Sequence, residues 1–302
     1  MWQTPWREDV KCVSPQSTVL RAIADANLGV FVVRDEKPRK RELLCERPGP
    51  PALAMSLGLV RSNHMPLQNS EAFALFQPLL DSGCLSIESI CDWKGGWRVW
   101  MVFEILTYDQ PEDLDALRPF LLFGHDPFTN YFKLSYLFVR TCSNGILTEG
   151  TFHNPGPSIP PEDDHPRRFS AGSDGACEEI KAHLNEATTT FRRMNRMLVT
   201  SEESDRYLLD VADRVSKFRR TAVSDDRLEK LYSECKDRLF RRDDHVESKT
   251  QGTLWAAYNS VINWVDREAK VLHDWERVKE LWSSSIKDDA LYEAILRMPR
   301  GE

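Results

Sequence analysis

Short apolar runs separated by polar turns fill the first half of the chain, which is the pattern of an antiparallel sheet. The clearest case is a hairpin in which Leu85 and Ile87 alternate with polar residues toward Trp93 and an aromatic-rich run returns over 97–103. The connection reads Lys94-Gly95-Gly96, and glycines supply the positive φ angles that tight hairpins need. Further strands are predicted at 29–33, 42–45, 57–60, 120–123 and 132–139, the last two on either side of a turn at 125–128.

A helical pattern interrupts these strands. Ser70 is a good N-cap, and apolar residues then recur at helical spacing from Ala72 to Leu80 before Gly83 ends the segment. The pattern predicts a single helix that packs on the sheet.

The second half of the chain changes to the three-and-four apolar spacing of helices. Long helices are predicted at 176–198, 202–218, 225–240 and 253–272, with two short ones after them. Because strands come first and helices follow without alternating, the predicted fold class is α+β. It combines an antiparallel sheet-rich N-terminal half with one packed helix and a helical C-terminal half.

A segment rich in proline, glycine and serine lies between the two patterns. We therefore expect a mainly β domain at 1–153, a linker or loop at 154–175, and a helical region at 176–302 that packs on the sheet.

Composition favours a globular cytoplasmic protein. The chain has 302 residues, of which 41% are hydrophobic and 29% charged, and no run approaches the ~18 apolar residues of a membrane span. Its first residues lack the cationic-then-apolar signal pattern, so we expect a cytoplasmic location without membrane contact. The seven cysteines show no CxxC spacing and are expected to be reduced and mostly buried. The alternative is that Cys84 faces Cys91 across a hairpin.

The familiar catalytic motifs are absent from the sequence. It contains no GxxxxGK[ST], no GxGxxG after a strand, no HExxH and no GxSxG. We therefore expect no enzymatic activity, no cofactor and no metal, although Asp163-Asp164-His165 is a weak metal-binding candidate. An unrecognised nuclease or hydrolase stays as a further option, because catalytic residues can be dispersed along a sequence.

Positive charge is clustered although the net charge is −7. One cluster surrounds the turn between the strands at 29–33 and 42–45, and the glycine hairpin adds tryptophans beside cations. Single-stranded nucleic acid is bound by cations along its phosphates and by aromatic rings on which bases stack. The predicted nucleic-acid-binding residues are Lys37, Arg39, Lys40, Arg41, Lys94, Trp97, Arg98, Lys133 and Arg140.

Four segments of the chain carry a recognisable order of motifs. They read Pro-Leu-Gln-Asn-Ser-Glu-Ala-Phe at 66–73, Gly-Gly-Trp-Arg-Val-Trp at 95–100, Val-Arg-Thr-Cys-Ser-Asn at 139–144, and Thr-Leu-Trp-Ala-Ala-Tyr-Asn at 253–259 with Asp266 after it. The set resembles the phage/plasmid-like protein family of unknown function (domain of unknown function 932) over residues 57–270. The resemblance implies a product of a phage, plasmid or integrated element. Where that family often has a His-Thr-Gly-like stretch, this chain has Ser170, so no histidine role is carried over.

The polar residues of these motifs have a structural interpretation. Asn69 and Ser70 are placed to cap the helix that follows, and Thr253 is placed to cap the last long helix. Asn259 and Asp266 lie seven residues apart, near one helical stripe. The predicted structural polar network, which ties helix to sheet, is Asn69, Asn144, Asn259 and Asp266.

Two functional hypotheses follow. The first is a non-catalytic, single-stranded DNA binding or annealing protein of a phage or mobile element, since annealing needs no hydrolytic residue. The second is an element-encoded protein–protein interaction factor, for example one that blunts a host defence, with no nucleic-acid activity. The expected partners are single-stranded DNA or a host or element protein, and we expect a homo-oligomer.

Overall fold

The computed structural model describes part of the chain, mostly in its first two thirds. The described residues are 10–12, 18–37, 40–47, 53–93, 96, 98–109, 112, 117–128, 130–141, 147–148, 154–159, 173–209, 229, 233, 251–258 and 260.

Strands dominate the described part before residue 160, and helices follow. The strands are β1 (Val10–Cys12), β2 (Val30–Lys37), β3 (Lys40–Arg47), β4 (Leu53–Val60), β5 (Leu85–Trp93), β6 (Arg98–Ile105), β7 (Leu117–Asp126), β8 (Tyr131–Thr141), β9 (Leu147–Thr148) and β10 (Asn154–Ile159). The helices are α1 (Val19–Asp25), α2 (Asn69–Ala74), α3 (Gln77–Asp81), α4 (Ser173–Arg196), α5 (201–209) and α6 (254–258). The predicted α+β class is confirmed.

Within the described residues the strands form two sheets. The larger has seven strands in the order β1-β5-β6-β7-β8-β10, with β9 paired to β8, and the smaller has the order β2-β3-β4. The β5–β6 pair is the predicted glycine hairpin, antiparallel from Leu85 opposite Ile105 to Trp93 opposite Arg98. β2 and β3, which the pattern predicts on either side of a charged turn, are antiparallel as well, from Val30 opposite Glu46 to Lys37 opposite Lys40.

The centre of the larger sheet is covered on both faces. Along β6 the residues from Val99 to Phe103 are all buried, and so are the residues of β7 from Pro119 to Asp126. A strand that is buried on both sides loses the apolar–polar alternation and reads as a continuous apolar run. Aromatic rings fill one face, where Phe76 stacks on Phe103 with centroids 4.7 Å apart and meets Phe123 edge-on at 4.6 Å.

The helix predicted from Ala72 to Leu80 is broken in two. Pro78 lies at the start of α3, where its missing N–H costs nothing, but the same residue prevents α2 from continuing. The N-cap of α2 is Gln68 and not Ser70: Gln68 and Glu71 form a reciprocal capping box. Gly83 follows α3 with φ +72°, as expected of a helix-ending glycine.

Gln68 also fastens the loop before α2 to the smaller sheet. Its Oε1 accepts from the Phe31 amide and its Nε2 donates to the Phe31 carbonyl, both at 2.9 Å. The side chain thus pairs with β2 as a short strand would.

We predict that Gln68→Ala lowers the free energy of unfolding by about 2 kcal/mol, because two backbone groups of Phe31 lose their partner. Urea denaturation measures this loss. Glu71→Ala is the matched control, since it removes only the bond from the Gln68 amide at 2.9 Å and should cost about half as much. Equal losses in the two variants would show that the Phe31 contacts contribute nothing.

The chain divides into two compact units, each built from three segments. The first comprises Met1–Tyr108, Pro119–Tyr136 and Gly156–Ala182, and the second Asp109–Arg118, Leu137–Pro155 and His183–Glu302. β10 lies within the predicted linker at 154–175. The boundaries predicted at 153 and 175 stay predictions.

An aromatic cluster forms the described core of the second unit. Phe191 contacts Phe138 edge-on at 5.1 Å and Trp255 at 4.7 Å, and Trp255 stacks on Tyr258 at 5.9 Å. Thr253 caps α6 as predicted, since its Oγ1 accepts from the Ala256 amide at 3.2 Å. The tryptophan and tyrosine of the fourth motif are therefore core residues.

The fold also bears on the Cys84–Cys91 pair and on membrane-spanning helices. Cys84 directly precedes β5 and Cys91 lies on that same strand, so the alternative of a pair facing each other across a hairpin is wrong. No helix in the described ranges is long and apolar enough to cross a membrane.

Candidate nucleic-acid interface

The first basic cluster lies at the tip of the β2–β3 hairpin. The Cα atoms of Lys37 and Lys40 are opposed in the register, with the pairing shifted between Asp35 and Lys37. Directly opposed residues of an antiparallel pair lie about 4.5–5.5 Å apart. The backbone therefore brings Lys37 and Lys40 together at the hairpin end, whereas Arg39 and the side chains of the two lysines lie outside the described residues.

Two arginines of the hairpin are described with their side chains. Arg41 is half-buried and its Nη1 donates to the Ser62 carbonyl at 3.2 Å, which connects the tip to the loop after β4. Arg34 is exposed and lies 3.7 Å from the Glu46 carboxylate. An exposed ion pair of this kind is weak, about 0–1 kcal/mol, so Arg34 can exchange its partner for a phosphate.

Gly96 of the glycine hairpin lies against Cys45, near the end of β3 that is opposite the β2–β3 tip. A Cβ atom on Gly96 would lie 2.7 Å from Cys45 Sγ, and one on Gly29 would clash with the same sulfur. The two backbones approach the small Cys45 side chain from two sides. Because β3 runs from Lys40 to Cys45, its rise of about 3.3 Å per residue separates the two candidate regions by about 17 Å.

Arg98 is not an exposed cation. Its side chain is mostly buried and its Nε lies 3.6 Å from Asp126 Oδ2. Burial lowers the pKa of Arg98, and the neighbouring Asp126 opposes that shift. The ion pair joins β6 to β7, which is a structural role.

Of the three tryptophans of the hairpin, one is described with its side chain, and it is a core residue. Trp100 is buried in the sheet and offers no stacking surface. Trp97 and Lys94 lie outside the described residues, as does the Trp93 side chain. Lys133 and Arg140 lie on β8, where Arg140 pairs with Thr148, but their side chains are outside the described part.

Asn69, which the sequence places in a structural polar network, is buried beside a histidine that sequence reasoning treated as part of a turn. His125 lies on β7, is 0% exposed, and has its Nδ1 3.2 Å from Asn69 Oδ1. Asn69 Nδ2 also contacts the Gly29 carbonyl at 3.5 Å. The remaining network residues, Asn144, Asn259 and Asp266, lie outside the described residues.

The chemistry of His125 follows from its burial. Desolvation lowers its pKa to about 3, so the ring is neutral at physiological pH. Its Nε2 is buried without a hydrogen-bond partner among the described residues. A fully buried neutral imidazole bonded to Asn69 cannot exchange protons with a substrate. We therefore assign His125 a structural role. A histidine inside the apolar run Leu-Leu-Phe-Gly-His indicates a buried side chain, but it does not indicate the partner.

Loop contacts around the same strand end complete the region. His64 Nε2 lies 2.8 Å from the Pro127 carbonyl. Asn130 Oδ1 accepts from the Leu67 amide and its Nδ2 donates to the Met65 carbonyl, both at 2.8 Å. These bonds hold the motif at 66–73 against the β7–β8 turn. The described residues contain no group of three His, Cys, Asp or Glu side chains that could hold a metal ion.

One comparison with known proteins identifies a matching family. A family model described as "Domain of unknown function (DUF932)" matches residues 56–289, more than three quarters of the chain. The resemblance found in the four motifs is thereby confirmed, and the matched range includes all of them. Neither a curated protein nor a solved structure matches the chain significantly.

Proposed function

The chain belongs to the family of the domain of unknown function DUF932, and we propose that this member is a non-catalytic protein that binds and anneals single-stranded DNA. We further propose that it serves a phage or another mobile element, in the cytoplasm and as a homo-oligomer. The observation that carries the proposal is the basic tip of the β2–β3 hairpin. Its strand register supports the proposal by pairing Lys37 with Lys40 at the end of the hairpin.

The end of the β2–β3 hairpin carries four cationic residues close together in the sequence. Lys37, Arg39, Lys40 and Arg41 fall within five consecutive positions, and Lys37 and Lys40 are the last register pair. Like charges that are close in the sequence repel one another, so a phosphate bound near them is attracted by each. The net charge of −7 is spread over the whole chain and is screened beyond about 8–10 Å, so it does not cancel a local cluster.

The second candidate region continues from the first along one strand. Gly96 lies beside Cys45 on β3, and we propose that its sequence neighbours Lys94 and Trp97 form the second contact with the nucleic acid. A path of about 17 Å between tip and turn suits an extended strand of several nucleotides. In this proposal the tip binds phosphates and Trp97 stacks on a base. Arg98 has no contact with the nucleic acid and stabilises the sheet through Asp126.

Lys40→Glu combined with Arg41→Glu should weaken binding of a fluorescent single-stranded oligonucleotide by about 25-fold at 0.1 M salt, measured by anisotropy. This magnitude corresponds to the loss of two phosphate contacts, each of which contributes about 0.7 to the salt slope. We expect the wild type to bind with a micromolar or tighter Kd that rises steeply with salt. The rate at which complementary strands anneal should fall in parallel.

The control variant carries the same change in charge elsewhere. Arg21 and Arg206 have side chains that are 74% and 72% exposed, and each pairs with an acid on its own helix. Arg21→Glu with Arg206→Glu should leave the Kd within about twofold, because neither residue belongs to the proposed site and salt screens long-range repulsion between exposed charges. Wild-type affinity in the tip variant, or no binding by the wild type at low salt, would overturn the proposal.

The alternative, an interaction factor without nucleic-acid activity, is favoured by a different surface. Val30 and Leu59 are each 54% exposed, and the register places them beside Glu46 and Glu42, on the face of the small sheet opposite its core. Exposed apolar residues on a sheet face are typical of protein contacts. A partner retained from host lysate after nuclease treatment, and lost in Val30→Lys with Leu59→Lys, would favour this alternative. Met65→Lys is its control, since Met65 is 80% exposed in a loop.

A further inference from the structure

Two cysteines that are 93 positions apart in the sequence meet in the first unit. Cys177 Sγ lies 2.6 Å from Cys84 Sγ. Non-bonded heavy atoms usually stay about 3.5–4 Å apart, and a disulfide bond measures about 2.05 Å. The two sulfur atoms therefore lie about half an ångström from bonding distance.

The two thiols differ in access. Cys84 is 1% exposed, directly before β5, and its sulfur also lies 3.8 Å from Thr107 Oγ1. Cys177 is half-buried in the second turn of α4. A small oxidant can thus reach Cys177 first. Cys84 is the resolving sulfur, which reacts with the oxidised Cys177.

The surroundings favour the same order of events. Burial raises the pKa of Cys84 to about 12, so that sulfur stays protonated at neutral pH. Lys181, one helical turn beyond Cys177, is close enough for its charge to interact with both sulfur atoms. The thiolate is the reactive form of cysteine, which disfavours the protonated Cys84 sulfur as the first to react.

We propose that Cys84 and Cys177 are a redox modification site, a dithiol that a hydroperoxide converts to a disulfide between α4 and the start of β5. The Cys177 thiolate attacks one peroxide oxygen, the O–O bond breaks, and Cys177 becomes a sulfenic acid while the other oxygen leaves as water or an alcohol. The Cys84 sulfur then attacks the Cys177 sulfur, the S–O bond breaks, and the hydroxide leaves as water with the Cys84 proton. The two thiols lose two electrons and two protons, and the hydroperoxide is reduced.

The disulfide closes a long loop and so stabilises the fold. Cross-links that enclose about 90–100 residues remove much of the conformational entropy of the unfolded chain. We therefore expect a rise in Tm of about 5–10 °C for the oxidised protein. A thiol reductant such as dithiothreitol reverses the step by exchange and restores the lower Tm.

The experiment treats the full chain with one equivalent of hydrogen peroxide, blocks the remaining thiols, and maps its peptides by mass spectrometry without reduction. The expected result is a linked pair of peptides that contain Cys84 and Cys177, with a mass lower by two hydrogen atoms. Cys84→Ser and Cys177→Ser should each abolish both the linked pair and the rise in Tm. Cys45→Ser, a control at another buried cysteine, should keep the linked pair.

Other products would overturn the proposal. A disulfide from Cys84 or Cys177 to any other cysteine, a sulfinic acid at Cys177 with Cys84 still blockable, or no reaction at either thiol would each do so. Because peptide mapping uses the wild-type chain, the result does not depend on how the serine variants fold. Oligonucleotide binding plays no part in it, so the outcome is separate from that of the proposed function.

Discussion

Gly96→Ala should lower the free energy of unfolding by about 3–5 kcal/mol. Gly96 has φ +107°, a backbone conformation that residues with a side chain rarely adopt. The added Cβ would also lie 2.7 Å from Cys45 Sγ, which a second close contact at Gly29 keeps from moving aside. Backbone strain and overpacking therefore add at this one position, and urea denaturation measures their sum.

Two controls separate these causes. Gly83 has φ +72° with nothing within 4 Å of a built Cβ, so Gly83→Ala should show strain alone and cost about 1 kcal/mol. Combining Gly96→Ala with Cys45→Ala removes the sulfur, so the double variant should be at least about 1 kcal/mol more stable than the sum of the single losses predicts. Strict additivity would contradict the contact between the two hairpins.

Acid should destabilise the protein through His125. The pKa of this residue is lowered from 6.5 to about 3 by burial, so the unfolded chain binds a proton that the folded chain does not. The stability contributed by the neutral ring is fully present above pH 6.5 and is lost as the pH falls toward 3. Between pH 7.5 and 5.0 this one group should remove about 2 kcal/mol of the free energy of unfolding.

His125→Asn isolates this effect. Asparagine can keep a donor toward Asn69 Oδ1 and does not titrate, while the lost ring leaves a cavity beside Phe31 and Phe132. The variant should be less stable at pH 7.5, but its deficit relative to wild type should shrink by about 2 kcal/mol at pH 5.0. Urea midpoints at the two pH values give this difference. The same deficit at both would mean that folding does not lower the pKa of His125.

Local patterns predicted much of the secondary structure, because they depend on neighbouring residues. The alternation toward Trp93 and the glycines after it predicted the β5–β6 hairpin. The helical spacing after residue 175 predicted α4, and Thr253 was predicted as a cap from the type of residue at that position. Each of these depends on backbone preferences within a few residues, which a single sequence displays directly.

Local patterns mislead where two of them compete. Apolar spacing from Ala72 to Leu80 outweighed Pro78 in the prediction, yet the proline breaks the segment into α2 and α3. Gln68 is an uncommon N-cap, and its two bonds to Phe31 stabilise it there. That choice depends on a strand 37 positions earlier in the chain.

By itself, then, the sequence determined the α+β class, the hairpins, the family and the basic run at residues 37–41. Tertiary structure alone decided that Asn69 bonds His125, that Cys45 lies between two glycines, and that Cys84 meets Cys177 and not Cys91. The first set depends on periodicity and residue type over a few positions. The second depends on which surfaces meet when distant segments pack, and one sequence carries no local signal for such pairings.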